Sequence, residues 1–192
     1  MELKDFIKSY NPVFNNEEKC KNFIEWIDTL EFQNSGIVDE QGNIKEDLNV
    51  RNVKSYSLNR FKYGTETHYF NLLSKIFLEI FRQYIKEVYG GSFSLNQLSE
   101  ITVLKYDVGG KYDFHTDHNP LNIPRTLSLS FLLNDTYAGG QLEFLNPSTQ
   151  NIMKIISPKE NTVIVWPSDY KFPHAVAPIT RGKRYGVVCW AV

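Results

Sequence analysis

Residues 100–117, EITVLKYDVGGKYDFHTD, hold two short β-rich runs, EITVLKY and YDFHTD, parted by a glycine pair. Runs of β-branched and aromatic residues bounded by Gly and Asp are the pattern of strands. The same cadence continues to the C-terminus in RTLSLSFLLN (125–134), GQLEFLN (140–146), NIMKIIS (151–157), NTVIVWP (161–167) and KRYGVVCWAV (183–192). Gly, Pro, Asn and Asp separate these runs. Seven or eight such strands predict an all-β barrel or sandwich from residue 99 onward.

Upstream the periodicity is helical. In NNEEKCKNFIEWIDTLEF (15–32), Phe23, Ile24, Ile27 and Leu30 recur at three- and four-residue spacing, with Asn15 or Asn16 placed as N-cap. TETHYFNLLSKIFLEIFRQYIKEVYGG (65–91) predicts a longer helix that stops at Gly90–Gly91. Its apolar residues cover more than one stripe, the width expected of a helix laid against a sheet. Between the helices, polar residues 39–50 carry turn-forming Gly42 and Asn43 and predict a mobile hairpin loop ahead of the strand-like VRNVKSYSL (50–58). The expected architecture is mainly β with flanking α-helices. Residues 1–98 act as helical support and lid, residues 99–192 form the β core, and the helices pack on one sheet of a single domain.

The 192 residues carry 21 Lys plus Arg against 22 Asp plus Glu, a net charge of −1. That balance argues against a protein gripping nucleic acid through bulk charge. A hydrophobic share of 42% suits a packed core rather than a disordered chain. Cys20 and Cys189 stand far apart in no metal-binding spacing, so two reduced thiols are expected. MELKDFIK carries four charges and no apolar core of a signal peptide, and no run approaches the ~20 apolar residues of a membrane span. A soluble, cytoplasmic protein is the expectation.

The chemistry starts from strand alternation. On an ideal strand Asp113, His115 and Asp117 face one side, and Tyr112 and Phe114 the other. His115 and Asp117 then reach one metal, although a lone His-x-Asp is common by chance. A third candidate, His174, lies 59 residues on in FPHAVAPIT, and Arg184 follows ten residues later. Two histidines and one carboxylate on one face of a metal is the ligand set of non-haem Fe(II) oxygenases. The planar fork of an arginine suits a carboxylate-bearing co-substrate.

With these residues in order, the chain resembles the 2-oxoglutarate- and Fe(II)-dependent dioxygenases, in particular the prolyl 4-hydroxylase-like group. LKYDVGGKYDFHTDH, RTLSLSFLLN, GGQLEF, PHAV and GKRYGVVCW carry the resemblance, over roughly residues 99–192. It implies a double-stranded β-helix, or jelly roll. It also implies hydroxylation of a peptidyl proline coupled to decarboxylation of 2-oxoglutarate, with Fe(II), O2 and ascorbate as reductant.

The resemblance makes His115, Asp117 and His174 the iron ligands and Arg184 the anchor of the distal carboxylate of 2-oxoglutarate. Tyr106 contacts the co-substrate, Leu142 and Trp190 wall its pocket, and Tyr112 and Arg125 meet the substrate. Leu132 falls where relatives have a tyrosine on that carboxylate, and Ser130 or Ser128 is expected to substitute. The implied partner is a proline-containing peptide or protein, with neither membrane nor nucleic acid. A free amino acid, another side chain or a nucleobase is the alternative substrate, and a non-catalytic metal-binding jelly roll the alternative of another class. His118 is expected to be a bystander, His68 a helix-packing residue, Asp113 exposed, and Trp166 a core aromatic.

Overall fold

The computed structural model describes residues 2–16, 18–38, 43–62, 64–95, 97–118 and 125–192. A 3-10 turn (Leu3–Phe6) and strand β1 (Lys8–Tyr10) precede helix α1 (Glu18–Ile27). The Asn16 side chain accepts the Glu18 N–H at 2.9 Å, which makes Asn16 the cap. Short strands follow: β2 (Gln33–Asn34), β3 (Ile37–Val38), β4 (Ile44–Lys45), β5 (Arg51–Asn52) and β6 (Lys54–Ser57). Helix α2 runs Thr65–Tyr89 and ends at Gly90 in the left-handed region, where a side chain would be strained. The β core then comprises β7 (Thr102–Tyr106), β8 (Lys111–His115), β9 (Leu127–Leu132), β10 (Ala138–Gly139), β11 (Leu142–Leu145) and β12 (Ile152–Ile156). It closes with β13 (Thr162–Pro167), β14 (His174–Val176), β15 (Ile179–Arg181) and β16 (Arg184–Ala191).

Two antiparallel sheets face each other. The larger has the order β1-β13-β9-β16-β7-β6-β2 and the smaller β12-β11-β14-β8-β5. This is the jelly roll expected, and the long helix is where its periodicity put it. Alternation along the large sheet sorts its side chains into two cores. Leu129, Phe131, Val163, Val165, Val187 and Cys189 face the helices and meet Phe23, Phe77 and Phe81 there. Leu104, Tyr106, Leu132, Ile164 and Trp166 face inward, toward Leu142, Phe144 and Val176 of the small sheet. Both faces of β9 and β13 are therefore buried, and each reads as an unbroken buried run.

Three local features depart from the sequence expectation. VRNVKSYSL forms two strands rather than one: β5 joins β8 in the small sheet while β6 joins β7 in the large one. KSY near the N-terminus pairs with β13, although charge and Pro12 hid it. Ahead of the hairpin loop expected over 39–50, the pairing already starts at Ile37, where β3 pairs with β4, and residues 39–42 lie outside the described residues. Among the described residues no helix is long and apolar enough to cross a membrane.

Candidate metal centre

Strands β8 and β14 run antiparallel and set His115 directly opposite His174. Asp117 follows two residues after the end of β8, its side chain 8% exposed. One ligand atom from each of the three lies within 4.8 Å of the others. The Asp117 carboxylate is 3.4 Å from His174 Nε2 and 4.0 Å from His115 Nε2.

Backbone carbonyls orient both rings. His115 Nδ1 is 2.8 Å from the Asp113 carbonyl, and His174 Nδ1 is 3.0 Å from that of Phe172. A carbonyl only accepts, so Nδ1 carries the proton in each ring and the Nε2 lone pairs are directed at the centre. Burial, followed by the neighbouring His174, pushes the His115 imidazole down to about 3, so it is neutral near pH 7. Burial works to raise the Asp117 carboxyl, but His174, His115 and hydrogen bonds from Ser128 and Trp190 outweigh it and lower it. One buried carboxylate between two imidazole Nε2 atoms is the mixed N/O donor set that binds a divalent cation. The donor set thus fits a divalent metal.

The strand alternation expected around this site does not hold. Between Tyr112 and His115, β8 carries one residue more than β14 opposite it, a β-bulge. The bulge turns Tyr112 to the ligand side, where its ring stacks on His115 at 3.6 Å and 18°. Asp113, expected on the ligand face, points out to Lys111 at 2.9 Å and contributes only its carbonyl.

The centre opens into a cleft of about 1180 Å³ between the sheets. Arg184 on β16 enters its base, 2% exposed, with its Cζ 4.9 Å above the Tyr106 ring across the β16–β7 register. Among the described residues no carboxylate pairs with it, and its Nε has no acceptor. Ser130, Leu142, Trp190, Tyr112 and Arg125 line the same cleft. The Arg125 guanidinium lies 3.6 Å over the Trp190 ring. All ten residues singled out in the sequence therefore meet at one cleft. His118 lines the cleft but stands outside the ligand cluster, and His68 packs edge-on against Tyr69.

Four side chains carry more than the sequence suggested. Ser128, considered for the co-substrate end, instead donates to Asp117 Oδ2 at 2.7 Å, and the Ser168 hydroxyl lies 2.7 Å from Ser128. Register explains this, because Ser128 sits between Trp166 and Trp190 on neighbouring strands, at the metal end of β9. Trp166 is a core aromatic, yet its ring lies 4.8 Å from His174 and its buried indole N–H has no acceptor. Tyr137, not singled out, converges with Arg184 at Gly140, where an added Cβ would meet Tyr137 Cε2 at 2.8 Å and Arg184 Cδ at 3.2 Å. The AGG glycines therefore serve close packing; at Gly139, too, a side chain would collide with the Pro178 carbonyl.

Comparison with known proteins agrees with this geometry. Residues 101–192 match the 2OG-Fe(II) oxygenase superfamily. Human prolyl 3-hydroxylase 2 is 32% identical over 66 residues, covering 34% of this chain and 9% of the relative. A PKHD-type hydroxylase of Maricaulis maris is 35% identical over 97 residues, covering 48% of this chain and 42% of the relative. The matched segments thus span less than half of these relatives. Among solved structures, a Trichoplax adhaerens prolyl hydroxylase bound to a hypoxia inducible factor peptide superposes with a TM-score of 0.75 at 19% identity, over 97% of this chain and 83% of that one. A Pseudomonas putida prolyl-4-hydroxylase gives 0.67 at 17% identity, over 97% and 91%. The jelly roll, its His/Asp/His cluster and the match through residues 101–192 make the β core of this chain similar to the 2OG-Fe(II) oxygenase superfamily.

Proposed function

We propose that the protein is a 2-oxoglutarate-dependent dioxygenase that hydroxylates a prolyl residue within a peptide or protein. Fe(II), 2-oxoglutarate and O2 are the cofactor set of the superfamily, and the His/Asp/His cluster fits iron. The observation that carries the reading is a pairing of opposite needs in one cleft. A buried cluster of one carboxylate and two imidazoles offers the donors of a metal site, and the buried guanidinium of Arg184 pairs with no carboxylate among the described residues. A metal and a dicarboxylate satisfy both.

In this reading His115, Asp117 and His174 would hold the iron. Arg184, packed on Tyr106, anchors the distal carboxylate of 2-oxoglutarate, with Ser130, Leu142 and Trp190 as walls. Tyr137 stands beside Arg184 where Leu132 offers no hydroxyl. When bound, iron and 2-oxoglutarate together supply the oxidising chemistry, with 2-oxoglutarate decarboxylated to succinate and CO2 and ascorbate keeping the metal reduced. The apolar and aromatic lining from Tyr112, Trp166 and Leu142 keeps bulk water from that chemistry. Tyr112 and Arg125 position the substrate. The whole protein acts as one domain, residues 1–98 bracing the large sheet and bearing the β3–β4 hairpin over the cleft.

The proline substrate draws support from the prolyl hydroxylases among the relatives, one of them bound to a peptide. The test incubates the protein with Fe(II), 2-oxoglutarate, ascorbate and a library of proline-containing peptides, read by mass spectrometry. Gain of one oxygen atom on proline, matched by succinate, is expected. Succinate formation with oxygen on another residue would move the substrate, and no succinate under any condition would end the reading. Arg184→Ala should raise the 2-oxoglutarate requirement far more than the iron requirement.

A further inference from the structure

The wall of the cleft beside Tyr112 holds polar groups that the reaction described above does not use. Arg51 on β5 lies with its Cζ 4.6 Å over the Tyr112 ring, which in turn stacks on His115. Its Nη1 donates to the Gly36 carbonyl at 2.7 Å, while its Nε is buried without an acceptor. Ser35, next to Gly36, is 5% exposed, and its hydroxyl is likewise buried without a partner. The Ser35 N–H donates to the Val53 carbonyl at 2.9 Å, so Ser35–Gly36 and Arg51–Val53 are laced together as one unit. Both Ser35 and Arg51 line the cleft. Among the described residues no carboxylate pairs with Arg51.

Buried donors are normally satisfied, and unsatisfied ones in a cleft point to a ligand that brings the acceptor. Two donors from one laced unit, one of them a guanidinium held flat by an aromatic ring, suit a carboxylate better than a neutral carbonyl. The described carboxylates lining the cleft are Glu31, Glu100 and Asp117; Asp117 belongs to the ligand cluster, and Glu100 already accepts from Ser57 at 3.2 Å. Among the described residues none supplies the acceptor, which leaves that role to a group bound in the cleft. Arg51 stands two stacked layers from the metal-facing His115, so the acidic group belongs beside the reacting carbon rather than on it.

We propose that Ser35 and Arg51 form a carboxylate-binding subsite, so that the preferred substrate carries an acidic group within a residue or two of the carbon presented to the metal centre. The proposal rests on the peptide-hydroxylase reading. The carboxylate is either that of an acidic residue or the free C-terminus of a peptide. Capped proline peptides bearing Glu, Gln or Lys at each flanking position test the first source, and amidated against free C-terminal proline peptides test the second.

Binding is measured by calorimetry on protein loaded with Mn(II) and 2-oxoglutarate, and turnover by mass spectrometry with Fe(II). An acid-over-amide preference of about tenfold is expected in one arm, the scale of one charge-assisted contact. It should collapse in Arg51→Gln, shrink in Ser35→Ala, and turn toward the Lys peptides in Arg51→Glu. A merely structural role for Arg51 would weaken all peptides alike and leave the Glu-to-Gln ratio intact, which overturns the proposal. Charge-blind hydroxylation of peptides by the unaltered protein overturns it too, leaving the enzyme reading standing. If no peptide binds or reacts while 2-oxoglutarate is still consumed, the peptide reading falls and the subsite with it.

Discussion

The two sheets of the jelly roll share a core but are built differently. In the large sheet, β9 pairs with β13 and with β16 over six residues each without a break in register, and β9 and β13 are buried along their whole length. Helices α1 and α2 close its outer face. In the small sheet the strands are short and all but β14 are partly exposed, and the register shifts in both β11/β12 and β14/β8. The division of labour follows. The regular sheet supplies Arg184, Ser128 and Trp190, whose positions need a stiff base. The irregular sheet supplies His115, His174 and Tyr112, whose convergence needs a bulge. Regularity provides an anchor, and a break in regularity re-aims a side chain toward a point no ideal strand reaches.

The sharpest way to break this comparison is at the irregular sheet. Replacing His174 with Ala removes one of three metal-ligand candidates and is expected to lower iron-dependent 2-oxoglutarate turnover on the order of a thousandfold or more, while the fold melts normally. Near-full turnover would mean that the β8–β14 pair does not build the centre.

The next largest effect belongs to the regular sheet. Phe131 is fully buried between Phe14 and Phe77. Phe131→Ala should cost about 3–5 kcal/mol of stability in denaturant melts, because the helices cannot collapse into the cavity. A loss under about 1 kcal/mol would show the helix-backed face to be looser than its packing indicates.

A smaller effect links the sheets. Ser128→Ala removes the hydrogen bond that fixes Asp117 and should weaken metal binding by about 10–100-fold, followed by Co(II) absorbance titration. Ser128→Thr should restore most of it, and equal affinity in all three proteins would detach the large sheet from the metal centre.

The smallest is a pH effect on the metal-free protein. His115 titrates near 6.5 when unfolded but is pushed down to about 3 when folded, so between these values the unfolded chain holds the extra proton. Stability should therefore fall as pH drops below about 6.5, and His115→Gln should flatten that fall by up to about one proton. An unchanged slope would place His115 in a wetter setting than the stacked Tyr112 implies.

Much of this molecule is legible in its residues one stretch at a time. The Thr65–Tyr89 helix follows from a 3.6-residue period and a glycine stop, both local properties of the sequence. The buried strands follow from runs such as LSLSFL and TVIVWP, and the ligand candidates from His and Asp at the end of one run and the start of another. What local pattern missed has a common cause. VRNVKSYSL looks like one strand, but each half is claimed by a different sheet. KSY looks like a charged terminus, but β13 offers it a free edge.

By itself, then, the sequence determined the helices, the strand-rich second half and the identity of the chemically capable residues, since periodicity and side-chain type are written residue by residue. Only the tertiary structure decided that a bulge sends Tyr112 onto His115 and Asp113 outward, that Ser128 serves the metal end, and that Ser35 Oγ and Arg51 Nε are left without an acceptor in the cleft wall. Those outcomes depend on register between strands far apart in the sequence. A shift of one residue reverses every side chain it touches, and nothing within a single strand records that shift.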